Sequence, residues 1–246
     1  MNFKVVKDVL VVTALKSLPD LKRQPLMLFL VGLISSLPLY FILVFGGQIS
    51  YGLIGAIVST VAFIGMSAAI SEMAFDRYVK IREMIVAMPV HPISYAIGVA
   101  LAPLILSMPS LVFFIAITMW LGVLTPYSLF WTAVLLILCW ATVSSIGFLV
   151  STYLQKASTY TLNSLSNILG IALGFIPPVY YPEEMLGGFS WISAIFPTSN
   201  AASLIRVYSG SLNLPFEMII ARWLILIVTM VVSAVITAFK ARWREP

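Results

Sequence analysis

Apolar runs of about twenty residues recur along the chain, parted by short polar breaks, and runs of that length suit helices crossing a bilayer. No Asp, Glu, Lys or Arg occurs between Arg23 and Glu72, nor between Glu83 and Lys156. The pattern predicts spans at Leu26–Phe45, Gly52–Ser71, Ile93–Val123, Phe130–Ser151, from Tyr160 to the Pro177–Pro178 pair, and Glu217–Phe239. The third stretch, 31 residues long, exceeds one perpendicular crossing, so Pro103 and Pro109 are expected to kink it while its first turns follow the interface. Residues 1–25 mix Phe3, Val5, Val6, Val9, Leu10 and Val12 with Lys4, Lys7, Asp8 and Lys16. This suits an interfacial helix with snorkelling lysines, broken by Pro19. Tyr180–Pro215 holds two short apolar helices parted by Pro197, too short to cross singly and expected as a re-entrant hairpin, residues 180–215.

Set among these runs is one charged island, EMAFDRYVKIREMIVAMPVHP, residues 72–92, which requires water or a water-facing protein surface. If the N-terminus is inside, twelve of the fourteen Lys and Arg residues fall on inner segments, and only Arg206 and Arg222 lie toward the outside. That skew predicts six spans with both termini cytoplasmic in the plasma membrane, the island inside and the hairpin outside. Arg222 is then near enough to the outer rim to snorkel.

Composition sharpens the class. The chain is 61% hydrophobic and 9% charged, against about 25% charged for a soluble domain, which predicts an all-α polytopic membrane protein, one domain over 1–246. Its basic residues flank apolar runs, where they contact anionic lipid rather than nucleic acid. The single cysteine, Cys139, falls mid-span and excludes an intramolecular disulfide. The N-terminus lacks the apolar core and cleavage site of a signal peptide and is expected to stay in the mature chain.

Chemistry is sparse. No GxxxxGK[ST], HExxH, CxxC or GxSxG motif occurs, and the lone His91 on the island's edge cannot hold a metal by itself. Proton- or sodium-coupled carriers place ionisable groups inside their spans; here Glu72 and Glu217 sit at span ends, so the energy source is expected elsewhere. In the second span Gly52, Gly55, Ser59, Ala62 and Met66 form a smooth stripe, read as helix packing or as a substrate-facing wall. In the fifth, Asn163, Asn167, Gly170 and Gly174 share a face. The amides there pack helices, glue a dimer or line a path, because an unpaired amide in lipid is costly.

The stretch FDRYVKIREMIVAMPVHPISYAIGVALAP resembles the cytoplasmic loop of ABC-2 type transporter permeases, where a charged helix and a "(T/M)PV-x-P" turn lead into the third span. PPVYYPEEMLGGFSWISAIFPTSNAASLIR is similar to that family's signature before the last span, so the resemblance covers essentially the whole chain. It implies a membrane subunit that dimerises, pairs with two copies of a cytoplasmic ABC ATPase and usually exports its substrate. The chain itself would bind no cofactor, ATP and Mg belonging to the ATPase. By position Tyr78 to Met88 would be the coupling helix, with Tyr78, Arg82, Glu83, Met84 and Met88 toward the ATPase. Glu183, Glu184, Phe196 and Arg206 would belong to the external gate, Phe196 standing where many members have asparagine. Ser59, Asn163, Asn167, Gly170 and Gly174 would line the path, for an apolar or amphipathic compound. The rival readings are a self-contained carrier or channel, and a membrane scaffold or enzyme accessory subunit.

Overall fold

The computed structural model describes residues 3–23, 48–78, 92–154 and 157–240, and their regular structure is helical throughout. The elements are α1 (Phe3–Arg23), α2 (Ile49–Tyr78), α3 (Pro92–Leu106), α4 (Met108–Trp120), α5 (Pro126–Tyr153), α6 (Thr159–Phe175), a 3-10 turn (Glu183–Phe189), α7 (Ser190–Ser193), α8 (Pro197–Tyr208) and α9 (Phe216–Lys240). The expected first span, Leu26–Phe45, lies outside the described residues.

Among the described residues three helices are long and apolar enough to cross a membrane, Ile49–Phe75, Pro126–Tyr153 and Phe216–Phe239. The pair Ser94–Leu106 and Met108–Trp120, bent by 54°, makes a fourth if taken as one span. With 17 residues, α6 is about 26 Å long, short of a hydrocarbon core of roughly 30 Å.

The centre of the bundle is α2. Every residue from Tyr51 to Ala62 is buried, and α3, α4, α5, α6 and α8 pack around the helix. α9 lies outside α5 and α8, and α1 against α3. Close approach depends on missing side chains: a Cβ on Gly147 of α5 would stand 2.8 Å from that of Ala69 on α2, well inside van der Waals contact.

Local chemistry sets the helix ends. α2 runs past the expected end at Ser71 through Glu72–Tyr78, because EMAFDRY contains no Gly or Pro to stop it. The kink expected at Pro103 and Pro109 falls at Ser107, the N-cap of α4. Pro109 has no N–H for the Ile105 carbonyl and crowds it, so the helix restarts with proline in its first turn. Thr125 and Ser128 form a reciprocal capping box that starts α5 four residues before the expected Phe130.

Pro19 does not break the first helix, contrary to expectation: α1 continues through it to Arg23. The carbonyl left without its amide partner belongs to Leu15, on the exposed side of the helix and away from its packing against α3. On the other side, a Cβ on Gly98 would stand 2.7 Å from that of Val12, the Thr13 hydroxyl donates to the Gly98 carbonyl at 3.3 Å, and Lys16 pairs with Glu72 at 2.7 Å.

Candidate functional site

The bundle has two polar ends. At one, the segment after α6 folds back over the start of α2, burying Arg206 against Tyr51 and bringing Glu183 to Arg222 of α9. α8 begins at Pro197, and its residues from Pro197 to Arg206 are all buried. Arg206, in its last turn, meets carbonyls that favour a cation. Its guanidinium donates to the Pro178 carbonyl at 3.3 Å and to that of Val179, and lies 3.9 Å from the centre of the Tyr51 ring on α2. Burial pulls its pKa down to about 10, with Tyr51 and Glu183 acting the other way, so it stays charged at neutral pH.

Arg222, two turns into α9, forms an ion pair with Glu183 and approaches the Asn200 side-chain oxygen at 3.5 Å. The other Glu183 oxygen accepts from the Ser203 hydroxyl at 2.9 Å. With 5% of its surface exposed, Arg222 does not snorkel as expected: a carboxylate carried in by the 3-10 turn holds it inside. The Nε atoms of Arg206 and Arg222 are buried without partners among the described residues. Arg222 thus holds the Glu183 carboxylate, while Arg206 is held by carbonyls and the Tyr51 ring and feels Glu183 only through its field. Glu184, the next residue, is exposed.

Phe196 caps α8 through its backbone and has no side-chain capping bond. Asn200 supplies polar contacts from within the helix, its amide donating to the Ala194 and Phe196 carbonyls at 2.7 and 3.1 Å. Further along α2, Ser59 and Tyr180 share a hydroxyl–hydroxyl bond, and Thr198 donates to the Leu173 carbonyl at 2.8 Å. Trp131 stacks on Tyr208 and meets Trp223 edge-on, with the Trp223 N–H on the Tyr208 hydroxyl at 3.0 Å.

The residues singled out on the second and fifth apolar stretches divide. Gly174 and Gly170 are buried in the α2–α6 seam, where a Cβ would stand 2.9 Å from Ser59 Cβ and 2.8 Å from Phe63 Cδ2. Asn163 and Asn167 are exposed on the rim of α6. Ser71 of α2 donates to Asn163 Oδ1 at 3.0 Å, so Asn163 belongs to the opposite end of the bundle from Ser59. At that end Lys16 pairs with Glu72 and α2 finishes at Tyr78. Arg82, Glu83, Met84 and Met88 lie outside the described residues.

Sequence reasoning passed over Tyr51, Tyr180, Ser203 and the buried state of Arg222, and it took Thr198, Ser199 or Asn200 as the cap of α8, a position that Phe196 occupies. A charged residue six positions into a helix whose other charges, Glu217 and Lys240, lie at its two ends was the available signal, since such a group is functional or paired by default. Among the described residues no group of three or more His, Cys, Asp or Glu could hold a metal.

No curated protein matches the chain. The family model for the ABC-2 family transporter protein matches residues 47–239, from the approach to α2 to the end of α9, and permeases of this family work with ABC ATPase subunits. The chain, a multi-pass membrane protein with most of its length inside that match, therefore belongs to the ABC-2 transporter family as a membrane component without an ATPase site of its own.

Proposed function

We propose that this chain is the permease subunit of an ATP-driven exporter in the plasma membrane, acting as a homodimer or close heterodimer with two cytoplasmic ABC ATPase subunits that bind the ATP and Mg. The reading takes six spans, with Leu26–Phe45 first and α6 fifth, both termini cytoplasmic, and α1 along the inner interface. The skew of Lys and Arg supports that orientation, as do the exposed apolar side chains Leu10, Val11, Leu15 and Leu18 on α1.

The observation that carries the mechanism is the continuity of α2. Its 30 residues form a rod of about 45 Å, with Tyr51 under the Arg206 guanidinium near one end and Glu72 to Tyr78 leading into the charged island at the other. A push on the island by the closing ATPase moves this rod, and the rod bears on the hairpin holding Glu183, Glu184, Phe196 and Arg206. That hairpin acts as the outer gate. The path runs beside the α2–α6 pair in the assembled dimer, with the exposed Asn163 and Asn167 toward it and Ser59, Gly170 and Gly174 packed in the seam behind. The substrate is apolar or amphipathic, in keeping with a path free of charge between the two polar ends.

The test is the partner's ATP turnover in the reconstituted complex. Arg82→Ala and Glu83→Ala are expected to abolish the stimulation or release the ATPase while leaving the membrane subunit inserted. Unchanged stimulation overturns the island's role, and solute accumulation by the chain alone supports a self-contained carrier instead.

A further inference from the structure

Between the end of α6 and the 3-10 turn, residues 176–181 fold into one tight unit. Pro177 and Pro178 fix two successive φ angles. The Val179 N–H donates to the Pro177 carbonyl at 2.7 Å, and the Tyr181 hydroxyl closes the turn on the Ile176 carbonyl at 2.7 Å. Val179 and Tyr180 are buried. A segment so constrained moves as one body rather than bending between its ends.

Two helices hold this unit from different sides. On α2, Gly55 leaves a notch that the Tyr180 ring fills: a Cβ there would stand 2.5 Å from the ring's Cδ1. One turn on, Ser59 meets the ring's hydroxyl. Tyr180 donating to Ser59, and Ser59 to the Ala56 carbonyl at 3.2 Å, uses both hydroxyl hydrogens in one chain. On α8, Arg206 donates to the Pro178 and Val179 carbonyls. The contact of Tyr51 with the same guanidinium differs in kind. A cation is drawn to a ring face anywhere within about 6 Å of its centre, so that contact survives sliding. A ring seated in a close-packed notch with its tip hydrogen-bonded resists displacement along α2 and passes it on.

We infer that Tyr180 is the joint through which α2 moves the hairpin, a positioning residue that acts on the gate through Arg206. Displacement of α2 carries the ring by Gly55 and Ser59, the ring carries the stiff unit 176–181, and the carbonyls of that unit carry Arg206 and with it α8. The joint rests on the reading of the hairpin as an outer gate driven through α2.

The test follows the hairpin in the full-length chain assembled with its ATPase in lipid nanodiscs. Ser190→Cys, at an exposed position on the hairpin, is labelled with a maleimide in a Cys139→Ser background, with and without ATP and vanadate to trap the ATPase closed. The labelling rate is expected to change on trapping, and Gly55→Ala, which drives the ring from its notch, abolishes the change. Tyr180→Leu, which vacates the notch and adds no bulk to α2, abolishes it too, so the outcome does not hang on the folding of one variant. A purely structural part for Tyr180 lowers the melting temperature yet leaves the response of complexes that remain assembled. A response kept by assembled Tyr180→Leu complexes therefore overturns the joint and leaves the gate standing. A wild-type rate that trapping leaves unchanged overturns the gate, and the joint with it.

Discussion

Replacing Glu183 by glutamine removes the one carboxylate that faces Arg222 while keeping an oxygen for the Ser203 hydroxyl. The Arg222 side chain is 6% exposed and that of Glu183 20%, so the variant leaves a buried guanidinium with only the distant Asn200 oxygen. Breaking a buried pair from one side costs about 3–5 kcal/mol. The partial exposure of Glu183 places this case at the lower end, about 3 kcal/mol, since water already shares its solvation. For a chain of this size each kcal/mol moves the melting temperature by about 2–4 °C, so Glu183→Gln is expected to lower it by roughly 6–12 °C. Cys139 is the assay: it is the single cysteine and is fully buried, so a thiol-reactive dye reports unfolding without an added probe. Glu183→Gln with Arg222→Met removes both charges and is expected to recover most of the loss, because a buried pair replaced as a unit is close to neutral. An unchanged midpoint for the single variant, or a double variant whose loss equals the sum of the two singles, refutes the reasoning.

Two further outcomes follow from the packing. Gly170→Leu drives a side chain into Phe63, including backbone atoms at 3.3 Å that cannot yield. It is expected to cost about 1–3 kcal/mol or more by the same dye assay, whereas Gly188→Ala, which meets nothing within 4 Å, is expected to be neutral. Lys16→Ala removes a pair whose side chains are 18% and 37% exposed, so the loss is expected to be about 1 kcal/mol or less and to shrink as salt rises; a loss as large as that of Glu183→Gln contradicts this.

The apolar runs were long enough to announce α2, α5 and α9, and the break near Pro109 and the stops around Pro177 were legible because proline acts within a turn of itself. Boundaries drifted where the determinant was tertiary or simply absent: nothing in EMAFDRY stops a helix, so α2 outran its apolar segment, and Pro19 was carried by a helix packed along α3. Of the face shared by Asn163, Asn167, Gly170 and Gly174, the glycines are buried in the seam, whereas both amides are exposed and Asn163 meets α2 only at the seam's edge, through Ser71. Against Phe63 and Ser59 there is room for no side chain. The arginine cluster was least legible, because Glu183, Arg206 and Arg222 come from three separate elements whose meeting depends on how the chain folds back after α6.

The central claim is that residues 72–92 face the ATPase and receive its motion. Lys80→Cys in a Cys139→Ser background, labelled with a membrane-impermeant maleimide in sealed vesicles of known orientation, tests it most directly. Labelling from the cytoplasmic face alone, slowed when the ATPase subunit is bound, is the predicted result; labelling from the outer face, or a rate the ATPase leaves unchanged, contradicts it.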